Sequence, residues 1–65
     1  MELVINGQRE ICSAGTVDTL VADKGLPPES LVVELNGTII RQADWPAIRL
    51  HDGDTLELLS FVGGG

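Results

Sequence analysis

The sequence predicts an α+β fold in which one helix packs on one face of a mixed sheet of four to five strands. Two Asn-Gly dipeptides, at residues 6–7 and 36–37, each separate short apolar runs and are a strong signal for a β-hairpin. One apolar stripe at i, i+3 and i+4 begins at Val17, as in a helix with one buried side. A helix across one face of the sheet buries both apolar surfaces.

The first half of the chain predicts a hairpin followed by the helix. Leu3–Ile5 and Arg9–Cys12 are the expected strands of the hairpin. Thr16 is a good N-cap, since its hydroxyl can accept from a backbone N–H of the first turn. Gly25 suits the left-handed position that ends a helix. We therefore expect a short helix of about three turns that depends on the sheet for its stability.

The second half predicts another hairpin and a returning strand. Leu31–Leu35 and Thr38–Ile40 flank the second Asn-Gly turn, and Arg41–Pro46 suits an irregular or single helical turn. Ile48–Leu50 is expected to pair briefly before the final strand, Thr55–Val62. This element order allows the first and last strands to lie side by side, in parallel, at the centre of the sheet. That arrangement is a β-grasp fold.

Composition restricts the class of function. A chain of 65 residues forms one domain that buries only about 60% of its unfolded surface, too little to enclose a deep active site. Ten acidic and four scattered basic side chains give a net charge of −6, so nucleic-acid binding is not expected. We assign residues 1–61 to the β-grasp domain and residues 62–65 to a flexible glycine tail.

The single cysteine and the N-terminus predict a cytoplasmic protein. Cys12 has no partner for an internal disulfide, which fits a reducing compartment, and its apolar surroundings favour a buried structural thiol. No second Cys or His lies at ligand spacing, so no metal site is predicted. The N-terminus resembles no signal peptide, and no apolar run is long enough to cross a membrane.

Two further side chains suggest chemistry but have simpler interpretations. Trp45 suits ligand stacking, but in so small a domain its more common role is to anchor the core. His51 lies beside Asp52 and Asp54, and neighbouring residues of one exposed turn rarely converge on a substrate. Because no nucleophile and base occur at a credible spacing, an enzyme acting alone is the least favoured class.

The final strand is predicted to have an exposed apolar surface next to the glycine tail. If Leu56 and Leu58 face the helix, alternation places Glu57, Leu59 and Phe61 on the opposite face. Exposed apolar neighbours commonly mark a partner surface, and shielding by adjacent side chains is the alternative. Val62 then precedes three glycines, which add no stability but form a slim peptide. Alone, such a tail is equally typical of a frayed terminus.

The ordered set of these segments resembles the thiamine-biosynthesis sulfur carriers, a branch of the ubiquitin-like β-grasp proteins. The resemblance spans essentially the whole chain. Its motifs are Asn6-Gly7, Ala14–Val17 leading to Leu20, Val33–Gly37, Asp44-Trp45, Asp52–Asp54 and the final pair Gly64-Gly65.

This resemblance implies a carrier rather than a catalyst. An adenylyltransferase resembling ubiquitin-activating enzymes is expected to use ATP and Mg²⁺ to adenylate the carboxylate of Gly65. A sulfur donor, such as a cysteine-desulfurase persulfide, then yields a thiocarboxylate, and thiazole synthase accepts the sulfur. Gly63 and Gly64 are expected to give the tail clearance, since they have no side chains that would obstruct a partner. Leu59, Phe61 and Val62 are the expected partner-binding surface. No cofactor is expected to bind stably.

Three other interpretations stay open at this stage. The small subunit of molybdopterin synthase has a similar fold and tail but is usually longer. A ubiquitin-like modifier would use the same carboxylate to form an isopeptide bond with a lysine. A plain interaction domain would use the apolar surface alone.

Overall fold

A computed structural model describes residues 1–61, which form a five-stranded sheet, one α-helix and two short 3-10 helices. The tail prediction for residues 62–65 lies outside the described residues. The elements are β1 (Glu2–Ile5), β2 (Gln8–Ile11), α1 (Val17–Asp23), a 3-10 helix (Pro28–Ser30), β3 (Leu31–Leu35), β4 (Thr38–Ile40), a second 3-10 helix (Gln42–Ala47) and β5 (Thr55–Ser60).

The sheet has the order β2-β1-β5-β3-β4, so the last strand lies at its centre. β1 and β5 pair in parallel, with Val4 opposite Thr55. The other three pairings are antiparallel, and β5 pairs with the whole of β3, from Ser60 opposite Leu31 to Leu56 opposite Leu35. This topology confirms the predicted mixed sheet and the central parallel pair of the β-grasp fold.

Both hairpin turns have the backbone that their Asn-Gly sequences predict. The φ angles are 51° at Asn6 and 82° at Gly7, and 50° at Asn36 and 87° at Gly37. A type I′ turn requires positive φ at both central residues, and Asn tolerates this conformation better than most residues with a side chain. The two turns therefore set the registers of β1 with β2 and of β3 with β4.

The helix is shorter than predicted. It has seven residues, about two turns instead of three. Thr16 is the N-cap as expected, and its hydroxyl accepts from the N–H of Thr19 at 3.2 Å. At the other end the N–H of Gly25 donates to Ala22 and that of Leu26 to Val21, which is a Schellman motif. The motif takes Lys24 as the C-cap and leaves only seven residues between the two caps.

The core lies between α1 and one face of the sheet. Val17, Leu20 and Val21 of the helix pack on apolar side chains from β1, β3 and β5. Trp45 is 2% exposed and belongs to the same core, and its Nε1–H donates to the carbonyl of Ile40 at 3.1 Å. Core anchoring, rather than ligand stacking, is therefore its role in the fold.

Several element boundaries differ from the predictions. β1 begins at Glu2 rather than Leu3, and β5 ends at Ser60, although the predicted final strand continues through Phe61 to Val62. The second strand is Gln8–Ile11 rather than Arg9–Cys12, because the type I′ turn pairs Ile5 directly with Gln8. The segment around Ile48–Leu50 pairs as predicted, but only through one isolated bridge between Arg49 and Thr16. Within residues 1–61, the one α-helix is too short to span a bilayer.

Candidate partner-binding face

The end of β5 is held by hydrogen bonds to the β3 side as far as Phe61, so the direction of the chain at Phe61 is defined. On one side Ser60 pairs with Leu31, and the N–H of Phe61 donates to the carbonyl of Ser30 at 3.0 Å. These bonds continue the β3–β5 pairing to the last described residue. The predicted site residues beyond it, Val62, Gly63, Gly64 and Gly65, lie outside the described residues.

On the other side of β5, the side chain of Asn6 replaces backbone that β1 no longer supplies. Its Oδ1 accepts from the N–H of Leu58 at 2.8 Å, and its Nδ2 donates to the carbonyl of Leu58 at 3.3 Å. An amide side chain has the same donor and acceptor as a peptide group. The parallel pairing of β5 therefore continues past the point where β1 turns away.

The sheet face opposite α1, here called the open face, has an apolar patch beside the tail. Leu59 and Phe61 are 57% and 55% exposed. Val32 lies directly opposite Leu59 on β3 and is half-buried. The prediction that Leu59 and Phe61 are exposed is confirmed, and shielding by neighbouring side chains is wrong. We call Val32, Leu59 and Phe61 the tail-side patch.

Next to the tail-side patch, the open face has two opposed carboxylates. Glu34 of β3 pairs directly with Glu57 of β5, and both side chains are half-buried. Side chains at directly opposite positions have Cβ atoms about 4.5–5.5 Å apart, and like charges there are destabilising. The basic groups that form ion pairs in residues 1–61 use other acidic partners, so neither Glu34 nor Glu57 is neutralised there.

Cys12 and the turn around His51, which the sequence singles out as possible chemical sites, make contacts within the fold. Cys12 is partly buried against the core, and its carbonyl accepts from the N-terminal amine at 2.9 Å. His51 is exposed, and its ring Nδ1 lies 4.0 Å from Asp54 Oδ2. The two aspartates of this turn accept from backbone N–H groups, Asp52 from Glu2 and Asp54 from His51. In residues 1–61, no group of three His, Cys, Asp or Glu is placed to hold a metal ion.

Comparison with known proteins identifies the family. A model described as the ThiS family matches residues 2–65. The chain belongs to the ThiS family. This confirms the resemblance to the thiamine-biosynthesis sulfur carriers.

Solved structures and individual relatives agree with this ThiS-family assignment. A crystal structure of thiamine biosynthesis protein ThiS from Geobacter metallireducens superposes with a TM-score of 0.84, at 33% identity and with all of both chains covered. The sulfur carrier protein ThiS of Bacillus subtilis is 37% identical over 51 residues, which are 78% of this chain and 77% of that protein. The predicted β-grasp fold is confirmed by these relatives as well as by the topology.

Two relatives are much longer than this ThiS-family chain. A thiazole synthase of Paramagnetospirillum magneticum is 38% identical over 66 residues, and one of Magnetococcus marinus is 32% identical over 66 residues. Each match covers all of this chain and 20% of the relative, so the chain spans about a fifth of the length of these proteins.

The sequence identified the apolar residues of the open face but missed the acidic pair. Leu59 and Phe61 were found by alternation within one strand. Val32 and Glu34 lie on β3, and their positions opposite Leu59 and Glu57 follow from the register between two strands. Two Glu residues 23 positions apart in sequence give no local signal of this juxtaposition.

Proposed function

We propose that this chain carries sulfur as a thiocarboxylate on Gly65 for synthesis of the thiazole ring of thiamine. The observation that carries the proposal is the match to the ThiS family over residues 2–65, which includes the glycines. A central strand that is bonded to β3 and Ser30 as far as Phe61, and to β1 and Asn6 as far as Leu58, also supports it, because it provides a rigid base for a peptide that partners must thread.

Activation is required because a carboxylate is ionised at neutral pH and resists nucleophiles. An oxygen of the Gly65 carboxylate attacks the α-phosphorus of ATP, and pyrophosphate leaves to give an acyl-adenylate. A persulfide sulfur then displaces AMP, and a thiol cleaves the sulfur–sulfur bond to leave the thiocarboxylate. ATP and Mg²⁺ belong to the adenylyltransferase, and the persulfide belongs to a donor such as a cysteine desulfurase.

The partner that accepts the sulfur is thiazole synthase. Support comes from the two thiazole synthases in which a domain similar to this chain makes up about a fifth of the protein. A carrier domain in the same polypeptide as the acceptor is expected to raise their effective concentration. Glycine at the last positions leaves no side chain to block a narrow channel, and residues 62–65 reach at most about 14 Å when extended.

Intact-mass measurement tests the chemistry directly. The chain is incubated with the adenylyltransferase, ATP, Mg²⁺ and a persulfide donor. We expect a mass increase equal to replacement of one oxygen by sulfur, and no increase when ATP is omitted. A variant lacking Gly65 should show no such product but should unfold at the same temperature as the parent. An unchanged mass with partners of demonstrated activity on another carrier would disprove the proposal.

Leu59, Phe61 and Val62 are proposed as the surface that docks on these partners. Exposed apolar neighbours at the base of the tail support this role. Phe61→Asp should weaken binding to thiazole synthase by at least about tenfold, since it places a charge in an apolar contact. Ile11→Asp is the matched control, because Ile11 is 81% exposed on the edge strand β2, away from the tail. Equal losses for the two variants would argue against a specific patch.

A further inference from the structure

Both asparagines of the chain precede a glycine, at Asn6-Gly7 and Asn36-Gly37. In such a dipeptide the backbone nitrogen of the glycine can attack the side-chain carbonyl carbon of the asparagine, because glycine has no Cβ to obstruct the ring that forms. A Cβ placed on either glycine would meet no atom within 4 Å, so both turns have open space around them. Both dipeptides therefore have the chemistry and the space for deamidation.

The reaction needs only water. The glycine nitrogen loses its proton and forms a bond to Cγ of the asparagine, and Nδ2 leaves as ammonia, which gives a cyclic imide. Water then opens one of the two imide carbonyls, and the product is aspartate or its isoaspartyl isomer. One water is consumed and one ammonia is released, and a neutral amide becomes a carboxylate.

In the folded chain, the side chain of Asn6 is held by part-buried bonds to the central strand. Its Oδ1 accepts from the N–H of Leu58 at 2.8 Å, and its Nδ2 donates to the carbonyl of Leu58 at 3.3 Å. Attack at Cγ makes that carbon tetrahedral and removes Nδ2, so the amide cannot keep both bonds. Its release would leave two part-buried backbone groups of Leu58 unpaired, which costs free energy. The fold therefore opposes the reaction at Asn6.

The side chain of Asn36 also makes two hydrogen bonds, but both are exposed. Its Oδ1 accepts from the N–H of Thr55 at 2.9 Å, and its Nδ2 donates to Oδ1 of Asp54 at 3.0 Å. When this amide is released, water can bond to the exposed N–H and to the carboxylate in its place, so the cost is smaller than at Asn6. The two turns have the same dipeptide and differ in the exposure of the bonds that hold them.

We propose that Asn36 is the site at which the folded chain deamidates, and that the fold protects Asn6. The inference does not depend on the proposed function. Asn36 bonds to Thr55, where β5 begins, whereas Asn6 bonds to Leu58, nearer the tail. Deamidation at Asn36 places a second carboxylate beside Asp54 and loosens the start of β5. The end of β5 that leads into the tail keeps its bonds to Asn6.

Peptide mapping of the native chain tests the choice of site. Trypsin cleaves after Lys and Arg, so Asn6 and Asn36 fall in separate peptides, residues 1–9 and 25–41. The intact chain is incubated below its melting temperature, and samples are digested at intervals and analysed by mass spectrometry. Peptide 25–41 should gain the mass difference between a hydroxyl and an amino group at least about tenfold faster than peptide 1–9.

The matched control is the same chain unfolded in guanidinium chloride. Without the fold, both asparagines are free and both precede a glycine, so the two peptides should react at rates within about twofold of each other. Equal rates in the native chain, or a faster reaction at Asn6, would overturn the proposal. It is also wrong if neither peptide reacts in the native chain over a period in which both react completely in denaturant.

Two variants reproduce the aspartate products and test their consequences. Asn36→Asp should lower the melting temperature by about 4–8 °C, since a hydrogen bond is replaced by repulsion from Asp54. It should leave amide exchange at Leu58 unchanged. Asn6→Asp places an oxygen against the carbonyl of Leu58 and should make that exchange faster. An Asn36→Asp variant that melts like wild type, or that exchanges faster at Leu58, would contradict a product confined to the start of β5.

Discussion

The two faces of the sheet differ in polarity and in exposure to solvent, although the same strands form both. The face toward α1 is apolar at its centre and closed, with Leu56 and Leu58 of β5 buried in the core. The open face places Leu59 and Glu57, from the same strand, in contact with solvent. One face therefore maintains the fold, while the other combines an apolar patch with unneutralised charge, features that stability alone would remove.

The largest expected effect compares two leucines of one strand. Leu56→Ala removes a side chain that is 0% exposed and should lower the free energy of unfolding by about 2–5 kcal/mol. Leu59→Ala should lower it by less than about 1 kcal/mol, because the side chain of Leu59 is already 57% exposed. Chemical denaturation measures both. Similar losses would show that the two faces do not differ as described.

A smaller loss of stability is expected for a substitution at Asn6, the residue that follows β1. Asn6→Gly keeps the positive φ but removes both side-chain hydrogen bonds to Leu58. The free energy of unfolding should fall by about 1–3 kcal/mol. Amide exchange at Leu58 should also become faster than at Val33, which lies opposite Leu58 on β3 and does not bond to the Asn6 side chain. Asn36→Gly is the control in the second hairpin, and it should leave exchange at Leu58 unchanged.

The helix cap tests how far the buried face depends on its short helix. Thr16→Ala removes the hydroxyl that accepts from Thr19 N–H and should cost about 1 kcal/mol. Thr16→Ser keeps the hydroxyl and should restore most of the loss in thermal unfolding. Binding of thiazole synthase to the open face should be unaffected below the melting temperature.

The smallest effect is expected for the ion pair between α1 and the edge strand. Lys24→Gln breaks its 2.7 Å contact with Glu10, where both side chains are partly exposed. Such pairs typically contribute about 0.2–1 kcal/mol and are screened by salt. The difference in melting temperature from wild type should therefore shrink in high salt. A difference that is independent of salt would indicate lost packing of the lysine stem instead.

Local patterns were sufficient to predict most of the fold. The Asn-Gly turns, Thr16 and Gly25 each determine the backbone through their own chemistry, so strand order and helix position could be inferred from them. The length of the helix was overestimated because the Schellman motif uses Lys24 as its cap. The open face was predicted only in part, since alternation locates Leu59 but the pairing of Glu34 with Glu57 depends on a register between distant strands.

The bonds around Asn6 and Ser30 also have a mechanical consequence. β5 is hydrogen-bonded along both of its edges, by β1 and Asn6 on one and by β3 and Ser30 on the other. A pull on the chain after Phe61, along the strand axis, loads these bonds in shear, so many must break together rather than one at a time. Forced unfolding is governed by the height of that barrier. Under the proposed function, a partner that pulls on the chain after Phe61 would therefore not unravel the domain.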